Sequence, residues 1–117
     1  MAAVAEGERE TWLGLFAAGA RVEDPVGHLP PITGRERLAE FWDNAIAGLA
    51  AVRFEVTREW AAGPNEAMLL ATVTLRPPAG AEVSYDGAFD YALDGDGRIA
   101  SLRAFWDLPA VAAELAG

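Results

Sequence analysis

The chain has 117 residues, a net charge of −9, nine Arg but no Lys, and no cysteine. This length fits one small domain over residues 1–117. The lack of cysteine excludes disulfides, a thiol nucleophile and Cys-ligated metals. A single histidine, His28, argues against imidazole-built metal sites and His-dependent triads. The acidic balance argues against nucleic acid as a partner, so carboxylates, Tyr and Trp remain to carry chemistry.

The N-terminal segment MAAVAEGERE is small and acidic, without the basic and apolar regions of a signal peptide. No apolar run approaches the ~18–20 residues that a membrane span requires. We therefore expect a cytoplasmic protein that does not bind a membrane.

The first half of the chain alternates helical and extended signals. Apolar residues at helical spacing predict a first helix over residues 6–18, with Gly19 as its stop. An extended segment over residues 20–27 follows, and residues 28–32 are predicted to form a rigid, proline-containing loop.

A second helix is predicted to begin at Thr33. Thr33 with Glu36 three residues later is the pattern of a capping box. Apolar residues at helical spacing then continue to Leu49, which predicts one amphipathic helix between Thr33 and Leu49.

Beyond Leu49 the apolar period changes to two, which predicts strands. Val52, Phe54 and Val56 alternate with polar residues. A short terminal helix closes the chain at residues 108–115. The predicted fold class is α+β, with a curved antiparallel sheet and helices packed on one face. Three further strands are predicted over residues 67–76, 82–93 and 98–106, separated by turns at 62–65, 77–80 and 94–97.

Asp24 is the residue most suggestive of chemistry. By strand parity its side chain shares a face with Val22 and Val26. A carboxyl group on an apolar face is partly desolvated, which raises its pKa toward the range of a general base. Alternatively, Asp24 only organises the Asp-Pro turn by accepting hydrogen bonds from nearby backbone N–H groups.

Several aromatic side chains fall on predicted inward faces. A curved sheet capped by helices leaves a cavity at its open end, where aromatic rings suit a flat apolar ligand. The alternative for each ring is an ordinary place in the core. The set comprises Phe16, Trp42, Tyr85, Phe89 and Trp106.

The strand over residues 82–93 adds detail to the hypothesis of an aromatic-lined cavity. Gly87 leaves open space beside Tyr85 and Phe89, either for ligand access or for a bend in the sheet. Tyr85 could donate its hydroxyl to a substrate oxygen or form a hydrogen bond within the core. By parity Val83, Tyr85, Gly87, Phe89 and Tyr91 share one face, while Ser84, Asp86, Ala88 and Asp90 share the other, toward solvent or the paired sheet of a dimer.

Five short segments, in order along nearly the whole chain, form a recognisable set: VEDPVG at 22–27, GRE at 34–36, FW at 41–42, DGRI at 96–99 and AFW at 104–106. In these segments the chain resembles the ketosteroid isomerase (steroid delta-isomerase) branch of the SnoaL-like, nuclear-transport-factor-2-like superfamily. The resemblance implies a cone-shaped α+β fold, a deep apolar cavity and usually a homodimer packed sheet to sheet. It implies no metal and no organic cofactor.

The resemblance also implies residue roles. In that family's isomerase an Asp of the EDP motif moves a proton from C4 to C6 of a 3-oxo-Δ5 steroid, while a Tyr and a protonated Asp stabilise the dienolate. Asp24 matches the base. With the strand residues above, the ligand-binding positions are Phe16, Trp42, Leu70, Gly87, Phe89, Leu102 and Trp106.

The two oxyanion donors of the family have no match in this sequence. The position of the Tyr falls at or before Met1, and that of the protonated Asp falls on Phe89. Losing one such donor costs ~10²–10³ in rate. Tyr85 is the predicted substitute. Alternatives are the indole N–H of Trp42 or Trp106, or a bulge near Gly87 that turns Asp86 or Asp90 inward.

Four functions remain open at this point. The favoured one is an isomerase or related proton-transfer enzyme with Asp24 as base. The second is a non-catalytic pocket for a steroid or polyketide-like apolar ligand. The third, epoxide hydrolysis or cyclisation, needs a second acid, and parity places the candidates Glu55 and Glu59 away from the apolar face. The fourth is a module that acts only through protein interaction.

Overall fold

The computed structural model describes residues 6–117. Three helices and six strands follow one another in these residues, and a π-helical turn, Trp42–Ile46, continues the second helix. The bounds are α1 Glu6–Leu13, β1 Phe16–Glu23, β2 Ile32–Thr33, α2 Arg35–Phe41, β3 Ala51–Ala61, β4 Glu66–Arg76, β5 Val83–Leu93, β6 Ile99–Phe105 and α3 Leu108–Ala116.

The six strands form one curved, open sheet in the order β2-β1-β6-β5-β4-β3. The strands from β3 to β6 are joined in sequence by short turns and pair antiparallel, as hairpins must. β1 instead pairs parallel with β6, so the sheet is mixed. The predicted α+β class with a curved sheet is confirmed, and the all-antiparallel pairing is corrected by this one parallel pair.

The core lies between one face of the sheet and the helices. Leu38 is the buried residue through which α2 packs on this face. We call the face that carries Val22, Phe89 and Ala104 the inner face, and the face that carries Leu70 and Phe105 the outer face. The buried core residues are Phe16, Ala20, Val22, Leu38, Val52, Ala71, Val73, Phe89, Leu102 and Ala104.

The first helix ends earlier than its sequence pattern predicts. It stops at Leu13, and Phe16 already belongs to β1. Phe16 pairs with Ile99 of β6, and the backbone N–H of Ile99 donates to the carbonyl of Leu15 at 2.8 Å. Pairing with a strand from the other end of the chain therefore overrides the helical spacing of residues 14–18.

The second helix does not begin with a capping box. Gly34 is its N-cap at φ 89°, no side chain caps it, and α2 starts at Arg35. Thr33 instead pairs with Arg21, so that Ile32–Thr33 is a short strand where a loop was predicted. A positive φ is open to glycine at little cost, which explains why Gly34 occupies the junction. The α-helix ends at Phe41, well before Leu49.

A bulge divides β3 into two halves. Val56 pairs with Ala71, but Arg58 pairs with Leu70, so Thr57 is one extra residue on the β3 side. Beyond this point the side chains change faces. Glu59 therefore lies opposite Leu69 on the inner face, where parity counted from Val52 placed it on the other side.

The remaining strands match their predicted positions to within one or two residues, and α3 occupies the predicted terminal segment. In the described part of the chain, no helix has both the length and the apolar character needed to cross a membrane.

Candidate functional site

Asp24 and Trp106 meet where two parallel strands end together. Asp24 follows β1 directly and Trp106 follows β6 directly, and the pairing of Glu23 with Arg103 brings these ends side by side. The indole Nε1–H of Trp106 donates to Oδ1 of Asp24 at 2.6 Å. This contact joins residues 82 positions apart, so it is a product of the fold rather than of a local turn.

The environment of Asp24 makes its carboxylate more basic. Burial raises the pKa of Asp24, and the hydrogen bond from Trp106 opposes this effect without cancelling it. The hydrogen-bond partner of the carboxylate is a side chain, whereas a turn-organising role requires backbone N–H groups. The geometry therefore favours a proton acceptor over a turn former at Asp24.

Two tyrosines of β5 lie near this carboxylate. The ring of Tyr85 stacks on Trp106, with the centroids 4.6 Å apart. Burial, and then the charge of Asp24, raise the pKa of both Tyr85 and Tyr91, that of Tyr91 to about 12. Both hydroxyls are therefore protonated near neutral pH and can donate. Tyr91 was not predicted as a site residue, although strand parity already placed it on the same face as Tyr85.

Gly87 does not leave the open space that was predicted beside Tyr85. A Cβ atom at Gly87 would lie 3.0 Å from Cε1 of Phe89, so the ring of Phe89 already fills that volume. The ring also makes an edge contact with Phe54 at 4.9 Å between centroids. Glycine is needed here because of close packing, which contradicts the ligand-access interpretation of Gly87.

The other predicted substitutes for the oxyanion donors, which are two indole N–H groups and two carboxyl groups of β5, do not face a ligand beside Asp24. The pairing of β4 with β5 is continuous through Gly87, so Asp86 and Asp90 stay on the outer face. Asp86 there accepts a hydrogen bond from Thr72 at 2.7 Å. The single N–H of the Trp106 indole is already bonded to Asp24. Trp42 is buried beside Trp12, in contact with α1.

The other predicted ligand-binding residues lie in three different parts of the structure. Leu102 lies on the inner face, in register between Val22 and Tyr91. Phe16 is buried at the opposite end of β1 from Asp24, in edge contact with Trp12. Leu70 lies on the outer face opposite Ala88 and does not fit a ligand-lining role beside Asp24.

Among the open grooves on the surface of residues 6–117 are the following three. One of about 660 Å³ lies between the proline-containing loop and α2, and is lined by Leu29, Arg37 and Phe41 among others. One of about 450 Å³ lies on the outer face around Phe105. The third, of about 370 Å³, has an apolar lining at the inner-face end of the β3–β4 turn, and Tyr91 forms part of its wall.

The fold is shared with several solved structures. A Δ5-3-ketosteroid isomerase from Mycobacterium sp. aligns with a TM-score of 0.81 at 29% identity, over 92% of this chain and 86% of that one. RV0760c from Mycobacterium tuberculosis, in complex with estradiol-17β-hemisuccinate, aligns with a TM-score of 0.79 at 24% identity, over 88% and 84%. A computationally designed 17-OHP binder aligns with a TM-score of 0.81 at 24% identity, over 91% and 86%.

A family profile gives the same result at the level of sequence. The profile of the SnoaL-like domain matches residues 1–102, which is most of the chain. The curved mixed sheet, the helices on its inner face and the aligned isomerase agree with that match. The chain therefore belongs to the SnoaL-like domain family, within the nuclear-transport-factor-2-like superfamily.

Proposed function

We propose that this protein is a steroid delta-isomerase that converts 3-oxo-Δ5 steroids to their Δ4 isomers, with Asp24 as the general base. The observation that carries the proposal is the half-buried carboxylate of Asp24, held by Trp106 at 2.6 Å beside a stacked tyrosine. The likeness to a Mycobacterium Δ5-3-ketosteroid isomerase supports it. A desolvated carboxylate is a stronger base than one in water, which suits abstraction of a weakly acidic C–H proton.

The reaction needs only proton movement. The carboxylate of Asp24 takes the proton from C4, the electron pair of that C–H bond forms the C3–C4 double bond, and the C3 carbonyl electrons move to oxygen. The Tyr85 hydroxyl donates to the resulting dienolate oxygen. Protonated Asp24 then returns the proton to C6, the carbonyl re-forms, and the remaining double bond lies between C4 and C5. Atoms and electrons balance without a co-reactant.

The test is turnover of a 3-oxo-Δ5 steroid, followed by the absorbance of the conjugated enone. Asp24→Asn is expected to lower kcat by roughly 10²–10⁴, the usual contribution of a general base. Asp86→Asn is the matched control, because Asp86 lies on the outer face, and it is expected to keep wild-type turnover. Equal turnover in wild type and Asp24→Asn would remove Asp24 from the mechanism.

A non-catalytic binder of a steroid or polyketide-like ligand is the alternative function. It is favoured by Phe89, a buried ring at the position to which the sequence resemblance assigns the oxyanion-stabilising Asp of the family's isomerases. Steroid binding by the wild type without turnover would establish this alternative.

Epoxide opening is less well supported by the geometry. The bulge in β3 brings Glu59 to the inner face, which supplies a second carboxyl group there. However, β6, β5 and β4 lie between β1 and β3. At about 4.8 Å per strand, the backbones of Asp24 and Glu59 are roughly 19 Å apart along the sheet, which disfavours joint action on one epoxide.

We further propose that the protein is a homodimer that packs through the outer faces of its two sheets. Leu70, Ala88 and Phe105 stand in register across three strands, and Leu70 and Phe105 are 36% and 40% exposed. Trp60 adds a ring that is 44% exposed, with the guanidinium of Arg58 4.8 Å from its centroid. Exposed aromatic and aliphatic side chains bordered by Arg are typical of the centre of a protein interface.

A further inference from the structure

Tyr91 lies between the Asp24 site and the apolar groove at the end of the sheet. Its hydroxyl is within electrostatic reach of Asp24, since the charge of that carboxylate raises the pKa of Tyr91. Its ring lines the groove of about 370 Å³, where it faces Ala67 across the β4–β5 ladder. The other groove residues include Leu69, Leu93 and Ile99. The proposed proton-transfer mechanism assigns no role to Tyr91 or to this groove.

The hydroxyl of Tyr91 is available to a ligand. The Tyr91 side chain is half-buried, and its hydroxyl keeps surface open to solvent beside the groove. Among residues 6–117 the Tyr91 hydroxyl has no hydrogen-bond partner in the protein. It is protonated at neutral pH and therefore offers a hydrogen bond to an acceptor oxygen.

Tyr85 and Tyr91 cannot share one ligand oxygen. They are six residues apart on a regular stretch of β5, so their Cα atoms are separated by about 20 Å. Phe89, opposite Ala104, lies between them on the same face. Asp24 follows Glu23, which pairs with Arg103, so Asp24 lies at the level of Ala104 and Phe89, between the strand positions of the two tyrosines. A flat ligand whose oxygen binds Tyr85 and whose reacting carbon faces Asp24 extends its far end toward Tyr91.

We infer that Tyr91 and the groove beside it bind the far end of the ligand, and that the protein selects flat polycyclic ketones that carry a second oxygen at that end. For a steroid this second oxygen is a 17-oxo or 17-hydroxyl group, which accepts a hydrogen bond from Tyr91. The apolar wall formed by Ala67, Leu69 and Ile99 encloses the neighbouring ring carbons. The inference rests on the proposed function, because it takes Tyr85 and Asp24 as the site of the 3-oxo end.

The test compares two ligands that differ only at the far end, androst-4-ene-3,17-dione and androst-4-en-3-one. Equilibrium dialysis measures their affinities and does not depend on turnover. The wild type is expected to bind the dione roughly 2- to 10-fold more tightly, the worth of one neutral hydrogen bond. Tyr91→Phe is expected to erase this preference. Tyr85→Phe is expected to weaken both ligands and to keep the preference.

A second pair of variants tests the groove. Ala67→Phe puts a ring opposite Tyr91 and is expected to weaken the binding of both steroids. Ala45→Phe is the control, since Ala45 lines the separate groove beside α2, and it is expected to leave both affinities unchanged. The inference would be overturned if wild type and Tyr91→Phe showed the same preference for the dione. It would also be overturned if Ala67→Phe bound both steroids as tightly as the wild type does.

The outcomes separate this inference from the proposed function. Steroid binding with a Tyr91-dependent preference but without turnover would support the inference and contradict the isomerase. Turnover that depends on Asp24, together with equal affinity for the two steroids, would support the isomerase and overturn the inference. Failure of the wild type to bind either steroid would overturn both.

Discussion

Asp24 is subject to two opposing influences on its pKa. Burial disfavours the charged carboxylate, and the indole N–H of Trp106 stabilises it, with burial the larger effect. The consequence is a carboxylate that gains basicity while it keeps a fixed orientation. The indole that orients Asp24 also stacks on Tyr85, so the proposed base and the proposed donor are positioned by the same ring.

This balance predicts how Asp24 affects folding stability. The folded protein holds the Asp24 proton to a higher pH than the unfolded chain does. Stability therefore falls as pH rises from the ordinary Asp pKa to the raised folded pKa, and the loss persists above it. Asp24→Asn removes this loss of stability, because its side chain carries no charge, and it keeps an oxygen that accepts the hydrogen bond from Trp106. It is expected to be more stable than the wild type near neutral pH.

Urea unfolding at about pH 3 and about pH 7 checks this expectation. The difference between the two proteins should shrink at the lower pH, where Asp24 is protonated in both states. Asp86→Asn, at an exposed position, serves as the comparison. A destabilised Asp24→Asn at neutral pH would show that the charged form is favoured in the folded state.

Sequence reasoning at single residues succeeded where strand parity holds. Parity placed Tyr85 on the face of Phe89, and the structure has it there. Parity placed Asp24 on that side too, and its hydrogen bond from Trp106, whose ring stacks on Tyr85, agrees with this. Leu70 was assigned by resemblance to relatives, although its alternation with Leu69 in β4 already indicated the opposite face. The partner of Asp24 could not be predicted, because a contact over 82 positions depends on the parallel pairing of β1 with β6.

At the scale of elements, two backbone features determine what sequence periodicity cannot show. The extra residue Thr57 reverses the faces of the second half of β3, and an uninterrupted period of two gives no sign of it. The pairing of Phe16 with Ile99 ends α1 early, because strand hydrogen bonds outweigh the propensity of a short helix. Both features arise from tertiary pairing.

Leu38 is the side chain through which α2 packs into the core. Leu38 is the buried residue of this helix, with no exposed surface. Leu38→Ala is expected to cost about 2–5 kcal/mol of unfolding free energy, because it leaves a cavity in the core. Leu115→Ala is the same substitution in α3 at a side chain that is 42% exposed, and it should cost roughly 0.5 kcal/mol or less.

Chemical denaturation of the two leucine variants measures the difference. A Leu38→Ala protein as stable as Leu115→Ala would mean that α2 is held by its ends rather than by its core contact.

At the scale of the whole molecule, the proposed ligand site and the proposed dimer interface lie on opposite faces of the sheet. The inner face carries Asp24 and its aromatic neighbours beneath the helices. The outer face carries the exposed row from Leu70 to Phe105 that we assign to the dimer. The guanidinium of Arg103 lies 5.3 Å from the centroid of the Phe105 ring, so charge borders the apolar row. This division leaves the proposed ligand site clear of the proposed interface.

The proposed dimer predicts that a new charge on the outer face separates the two subunits. Phe105→Arg puts a second guanidinium beside Arg103 and is expected to convert a dimer to a monomer in sedimentation analysis. Leu29→Arg introduces the same charge at a side chain in the proline-containing loop that is 44% exposed, and it should leave the dimer intact. A wild type that sediments as a monomer at micromolar concentration would contradict the proposed interface.

The most direct test of the account is the pH dependence of kcat/KM for a 3-oxo-Δ5 steroid in the wild type and in Trp106→Phe, with Trp60→Phe as control. The account predicts that activity rises with pH as one carboxyl group loses its proton, above the ordinary pKa of Asp. In Trp106→Phe this rise should move to higher pH, because the indole that lowers the pKa of Asp24 is gone. Trp60→Phe should match the wild type. The same rise in Trp106→Phe and wild type, or activity independent of pH, would contradict Asp24 as the base.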